Sequence, residues 1–304
     1  MKWASLGQSY AARIGVCAAM VGLSGIGYAA GEENKVNAGR VHFAMGADVV
    51  SAYHLRGLIF EDDGMILQPW AVLNANLYSG DSESDIQAVN LKLMGWGSVH
   101  EKRTTAKNTP EKWYECDGFA ALQFAMFEKW MFEGGVHTIS WPNGTRDAAT
   151  ELYGVVAYND SEFWKDLDIE ISGFNGFQPW MMLSIEMDNT FMGMPGKRKS
   201  GFVDMGIKPK FKLVNSGRLP VTLNLPVTVG FGLRDYYGTN DSSFGFAKLG
   251  VHTEMPLTMV PGDYGKWQVK AGVDLILVGD SPRSYNDGHD SFKPVGVIGV
   301  SMAY

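Results

Sequence analysis

Residues 31–304 alternate between apolar and polar side chains in segment after segment, with a period of two that marks β-strands. From Phe43 the odd positions run Phe43, Met45, Ala47, Val49, Ser51, Tyr53, Leu55, against His42, Ala44, Gly46, Asp48, Val50, Ala52, His54 and Arg56 on the even positions. The row is cleaner at 220–234, where Val221, Leu223, Leu225, Val227, Val229, Phe231 and Leu233 share one face. Thr222, Asn224, Pro226, Thr228, Gly230, Gly232 and Arg234 share the other. Segments 202–213 and 266–278 divide the same way, and no stretch of similar length keeps the 3.6-residue period of a helix.

Turn chemistry separates these segments: Asp62-Asp63-Gly64, Ser79-Gly80-Asp81, Asn143-Gly144, Asn215-Ser216-Gly217, Gly238-Thr239-Asn240-Asp241 and Asn286-Asp287-Gly288. Hairpin rules then predict about twelve strands. They lie near 41–57, 65–78, 85–97, 114–127, 131–142, 149–158, 177–188, 201–213, 220–234, 244–257, 266–279 and 294–304. The stretch 160–176 reads as a short extra strand or a loop with some helix. No linker or composition shift divides the chain, so 31–304 reads as one domain.

Strands of ten to fifteen residues exceed the five or six usual in a soluble sandwich and match the nine or more that cross a bilayer. Small residues on the polar rows (Ala44, Gly46, Gly230, Gly232) suit a narrow, filled barrel interior. Trp70, Tyr78, Trp96, Trp113, Trp130, Trp141, Tyr158, Trp180 and Trp267 fall near strand ends, where interfacial girdles sit. Ile298, Val300, Met302 and Tyr304 end the chain on one apolar row closed by an aromatic, as a strand that must close a barrel would. The expected fold is an all-β, transmembrane antiparallel up-and-down barrel of about twelve strands, first strand paired to last. A secreted, soluble all-β binding protein is the competing class.

The first thirty residues predict an address. Lys2 and Arg13 form a positive start, Ile14 to Gly27 an apolar core, and Tyr28-Ala29-Ala30-Gly31 a small-residue site. This reads as a signal peptide cut after Ala29 or Ala30, its core shorter than the roughly 20 residues of a spanning helix. Cleavage removes two of the 26 basic residues, so 24 face 33 acidic ones, a charge of −9. That excess disfavours a nucleic-acid partner. Only Cys116 remains of two cysteines, so no internal disulfide forms, and an exported free thiol is expected to be sheltered by protein or lipid. The destination is the bacterial outer membrane.

Several short motifs carry a resemblance: Ser51-x-Tyr53-x-x-Arg56-Gly57, then Gln68-Pro69, Glu115-x-Asp117, Trp141-Pro142-Asn143, Glu151-Leu152-Tyr153, Leu219-Pro220 and Gly299-Val300-Ser301. They resemble a family of largely uncharacterised Gram-negative outer-membrane β-barrel proteins with S-x-Y-x-x-R-G near the mature N-terminus. The chain departs from it in the Met-rich residues 181–194 and in the loop from Gly193 to Ser200. The resemblance implies fold and location and no settled activity.

Parity places Asp48, His54, Arg56, Lys92, Glu115, Asp117, Glu151, Glu186, Asp188, Asp204, Lys208, Lys210, Lys212, Arg234, Lys248, His252, Glu254, Lys270 and Asp274 toward the lumen. One reading is a lumen crossed by ion pairs; the other is a narrow pore whose Lys208, Lys210, Lys212 row faces an acidic row. Arg56 is expected to pair with the neighbouring Glu61, Asp62 and Asp63. Catalytic signals are weak. His54, His100, His137, His252 and His289 stand in no nucleophile motif, and an outer-membrane barrel enzyme remains the alternative. No metal helix or phosphate loop is written in the chain, and no cofactor is expected. Asn240-Asp241 and Asp287-Gly288-His289-Asp290 read as turns, with Ca²⁺ or lipopolysaccharide contact the minority reading. The expected function is a narrow porin-like channel or a plugged structural barrel for small solutes. Its expected partners are outer-membrane lipid, lipopolysaccharide and, through the C-terminal strand ending in Tyr304, the barrel-assembly machinery. A monomer is expected.

Overall fold

A computed structural model describes residues 39–81, 83–102, 112–144, 146–167, 173–188, 199–214, 220–238, 243–286 and 290–304. The segment expected to be a signal peptide, the expected Asn240-Asp241, Asp287-Gly288-His289 and Asn215-Ser216-Gly217 turns and most of the residues from Gly193 to Ser200 lie outside them.

The alternating segments form β1 (Val41–Val50), β4 (Ile66–Ser79), β5 (Ile86–His100), β6 (Trp113–Met126), β7 (Trp130–Ser140), β8 (Ala149–Tyr158) and β9 (Trp180–Asp188). They continue as β10 (Gly201–Ile207), β11 (Lys210–Val214), β12 (Val221–Asn224), β13 (Val227–Leu233), β14 (Phe244–Pro256), β15 (Lys266–Val278) and β16 (Phe292–Ala303). β10 and β11 are one stave interrupted at Pro209, and β12 and β13 one interrupted at Pro226. A proline has no N–H for the ladder, so pairing breaks there and resumes. The described residues thus give twelve antiparallel staves. Each pairs with the next, and β16 pairs with β1 from Ala44↔Ala303 to Val50↔Val297, so the sheet closes on itself. The two stacked sheets of the soluble alternative are not formed.

The alternation now acquires a direction. Outward positions are apolar and exposed: Met45, Leu67, Leu93, Leu122, Val136, Leu152, Met181, Leu183 and Ile298. Inward positions on the same strands are polar and buried: Asp48, Gln68, Lys92, Gln123, Glu133, Glu151, Ser184 and Lys270. An apolar girdle this extensive would be untenable in water. In hydrocarbon it needs no protein cover, and closure leaves no unpaired strand edge. Cys116 lies on the outward row of β6, where the membrane shelters it. Inside, small residues make room for large ones: a Cβ on Gly46 would sit 2.7 Å from the Trp70 ring, which lies across it.

One end of the barrel carries mostly short turns, such as Phe127–Lys129, with positive φ at Phe127 and Glu128. There the 159–179 connection holds a short helix, α1 (Ser161–Asp166), with no extra strand in its described part. Asp160 accepts hydrogen bonds from the Trp164 indole and the backbone N–H groups of Phe177 and Gln178, tying the connection together. The other end carries longer loops at most of its connections, among them 51–65 and 279–291, the latter with α2 (Asp280–Arg283). The first predicted strand, 41–57, is too long. It stops at Val50, and the alternation beyond belongs to a separate hairpin, β2 (Tyr53–Leu55) and β3 (Leu58–Glu61).

Candidate functional site: a hairpin across the lumen

After Val50 the chain is pinned to the rim by mutual bonds: Ser51 N–H donates to the Gly296 carbonyl, and Gly296 N–H donates to Ser51 Oγ. It then turns inward. Leu55 pairs with Leu58 across a two-residue turn in which Arg56 (φ 53°) and Gly57 (φ 83°) both lie in the left-handed region. Two positive φ values define the type I′ turn, the tightest reversal matching strand twist. Arg56 is an unusual residue for its first position. Gly57 is required twice over, because a Cβ there would also sit 2.6 Å from the Gly245 carbonyl oxygen on β14.

The hairpin packs in an apolar core rather than in solvent. Ala52, Leu55 and Leu58 are buried with Ile66, Trp96, Ile139, Phe202, Phe246 and Val297 from staves around the ring and Trp141 and Tyr237 from the loops. Asn286 fastens its return strand, its Oδ1 accepting from Ile59 N–H and its Nδ2 donating to the Gly57 carbonyl. Tyr53 donates its hydroxyl to Glu115 at 2.8 Å.

At the tip, Arg56 reaches the far wall. Its Nη1 and Nη2 donate to the two carboxylate oxygens of Glu151 at 2.6 Å each, Nη1 donates to Tyr236 at 2.6 Å, and Nη2 to Ser184 Oγ at 3.3 Å. The guanidinium faces the Phe202 ring at 5.0 Å and the Tyr236 ring at 5.5 Å, while Tyr237 donates to the Arg56 carbonyl. The expected pairing with Glu61, Asp62 and Asp63 is therefore corrected to Glu151. The turn carries Arg56 inward, and Asp62 and Asp63 pair at the rim with Lys293 and Lys102. Behind Glu151 the network continues: His137 lies 3.6 Å from Glu151 and 2.9 Å from Asp117, with Phe119 stacked on its ring at 3.9 Å.

The rest of the lumen is crossed by ion pairs. Lys92 binds Glu133 at 2.9 Å, where Gln123 and Tyr153 also donate. Lys270 binds Asp48 at 2.9 Å, His252 lies 3.0 Å from Asp274 with Lys248 at 3.7 Å, and Lys210 lies 3.5 Å from Glu254. Glu186 accepts from Ser200 N–H and Oγ, and Asp204 is buried between β9 and β13. His54, on the hairpin, is held down at about 3 by burial and by the Lys248 ammonium, against the pull of Asp274.

Asp48, Lys92, Glu115, Asp117, Glu151, Glu186, Asp204, Lys208, Lys210, Lys248, His252, Glu254, Lys270 and Asp274 thus sit on the barrel wall facing inward, and His54 and Arg56 on the hairpin. Three positions are corrected. Lys212 and Asp188 are exposed near the ends of β11 and β9, and Arg234 (φ 54°) is exposed in the loop after β13, which stops one residue before it. The lysine row does not act as a unit either, since Lys208 lies over the Trp180 ring at 4.8 Å and Lys210 pairs with Glu254. Glu133 and His137 were not singled out as lumen groups. The alternation of Met131, Glu133, His137 and Ile139 against Phe132, Val136 and Thr138 was the signal for both.

The outward apolar girdle, the polar charged interior and the closed ladder together make the chain an outer-membrane-type β-barrel. No family model and no curated protein matches it. Among solved structures it is similar to an outer-membrane channel from Pseudomonas putida F1 (9% identity, 90% of this chain and 100% of that one, TM-score 0.45). It is also similar to the β domain of the Bordetella autotransporter BrkA (10%, 88% and 99%, 0.42) and to the NanC porin (9%, 86% and 98%, 0.41). The fold and its outer-membrane location rest on this chain's own ladder and girdle, and these neighbours add no argument about its activity.

Proposed function

We propose that the protein is a narrow outer-membrane channel for small solutes, shut in this state by its own first hairpin. One observation carries the reading: Tyr53–Glu61 crosses the lumen as a separate two-stranded unit, held by polar latches and buried apolar side chains and not by the wall ladder. Such a unit leaves by breaking those latches and unpacking Tyr53, Leu55 and Leu58, while all twelve staves stay paired.

The reading is non-catalytic. Ser98 Oγ and His100 Nε2 are 2.9 Å apart, but both are buried and His100 is stacked on Tyr114. The lipid-facing girdle and the β1–β16 closure fit insertion as a monomer by the barrel-assembly machinery, with outer-leaflet lipopolysaccharide around the loop end.

The test is planar-bilayer conductance of the unaltered protein and of a variant in which residues 52–61 are replaced by a short Gly-Ser link. The expected result is rare or absent steps for the former and steady, small steps for the latter. A hairpin-less barrel that stays heat-modifiable on gels and passes no current overturns the channel in favour of a structural barrel.

A further inference from the structure

The latch has the anatomy of a recognition site. Four wall residues surround the Arg56 guanidinium: Glu151 from β8, Ser184 from β9, Phe202 from β10 and Tyr236 from the loop after β13, each at least 98% buried. Glu151 meets the flat fork with two parallel bonds of 2.6 Å, Tyr236 and Ser184 take further N–H groups, and the Phe202 and Tyr236 rings lie within cation–π range. An ammonium group is a point charge and would satisfy only part of this arrangement. The surrounding wall adds Asp117 and Asp204, with His137 beside Asp117 and Lys248 near Asp204, so without Arg56 the pocket is acidic and Glu151 loses its bidentate cation. A buried carboxylate stripped of its partner demands another cation.

We propose that this pocket is a guanidinium-binding site which the chain fills with its own Arg56, and that a solute bearing a guanidinium takes it when the hairpin withdraws. The proposal rests on the reading of the hairpin as a movable gate, and it names the solute class that gate admits. Arg56 is then a tethered stand-in for the solute, and competition for Glu151 links solute binding to opening.

The test is chemical rescue in the full-length chain. In Arg56→Ala, methylguanidinium at millimolar concentration is expected to raise the midpoint of the heat-modifiable transition. It should bind about tenfold or more tightly than methylammonium at matched ionic strength, because only the planar fork fills both Glu151 bonds. Adding Glu151→Gln is expected to abolish the difference. Should Arg56→Ala fail to fold, Arg56→Lys keeps a cation at the tip, and its lowered midpoint is expected to rise with methylguanidinium and not with methylammonium. Equal effects of the two cations in whichever variant folds mark a merely structural latch and overturn the proposal. Rescue requires no current, so it stands or falls apart from the channel. A hairpin-less barrel that conducts but is not blocked by methylguanidinium keeps the channel and overturns the site.

Discussion

At the residue scale the lumen obeys the economics of charge in a dry place. Lys92 and Glu133 are both buried, and Gln123 and Tyr153 complete the carboxylate's partners. Removing one member leaves the other uncompensated, whereas removing both leaves ordinary packing. Lys92→Met is therefore expected to lower stability by about 3–5 kcal/mol, and Lys92→Met with Glu133→Gln to recover most of it, as read from urea unfolding midpoints in detergent. His54 supplies a pH dependence. Its neutral form is the one the folded hairpin holds, with the pKa lowered from 6.5 to about 3. Between those values the unfolded state binds more protons, so this group's contribution is complete above pH 6.5 and is lost as pH falls toward 3. Conductance or hairpin proteolysis is expected to rise on acidification across that window and to flatten in His54→Gln. An unchanged acid response in that variant assigns the effect elsewhere.

Among the elements, the hairpin was the hardest to read and the wall the easiest. Period-two alternation gave the staves because hydrocarbon on one side and a packed polar lumen on the other enforce it at every step. Through Tyr53 and Leu55 the same alternation continues past the wall, since these side chains are buried in the hairpin's own core, and sequence extends β1 by seven residues. An Arg-Gly tip lacks the Asn-Gly signature that would have marked the turn. Arg56 was legible as an inward charge but not as a latch, because Glu151 is 95 residues away in sequence. Two substitutions test the element. Gly57→Ala meets both a positive φ and the Gly245 carbonyl, and is expected to displace the tip and cost about 1–3 kcal/mol. Asn286→Ala removes both bonds to the return strand and is expected to cost about 1–3 kcal/mol while leaving the wall intact. Protease sensitivity confined to residues 51–65, with unchanged heat-modifiability, is the expected pattern for both.

For the whole molecule the arrangement of charge decides what an opened barrel would pass. The wall from β5 to β10 carries Glu115, Asp117, Glu133, Glu151, Glu186 and Asp204 against Lys92 and His137, with Arg146 of the loop after β7 beside Glu115, while the opposite wall pairs its charges nearly one to one. Withdrawing the hairpin removes Arg56 and leaves that excess facing the pore, so the hairpin-less variant is expected to prefer cations. The sign of the reversal potential in a salt gradient checks this, and an anion preference contradicts it. All of these expectations depend on which row of each stave meets hydrocarbon. The direct measurement places spin labels one at a time from Gly118 to Phe124 on β6, in a Cys116→Ala background and in lipid vesicles. Collision with oxygen is expected to peak at Gly118, Ala120, Leu122 and Phe124 and to drop at Phe119, Ala121 and Gln123, in step with their outward and inward placement. Labels at Ala120 and Leu122 shielded from oxygen, or reached freely by an aqueous nickel complex, would contradict the barrel in a membrane.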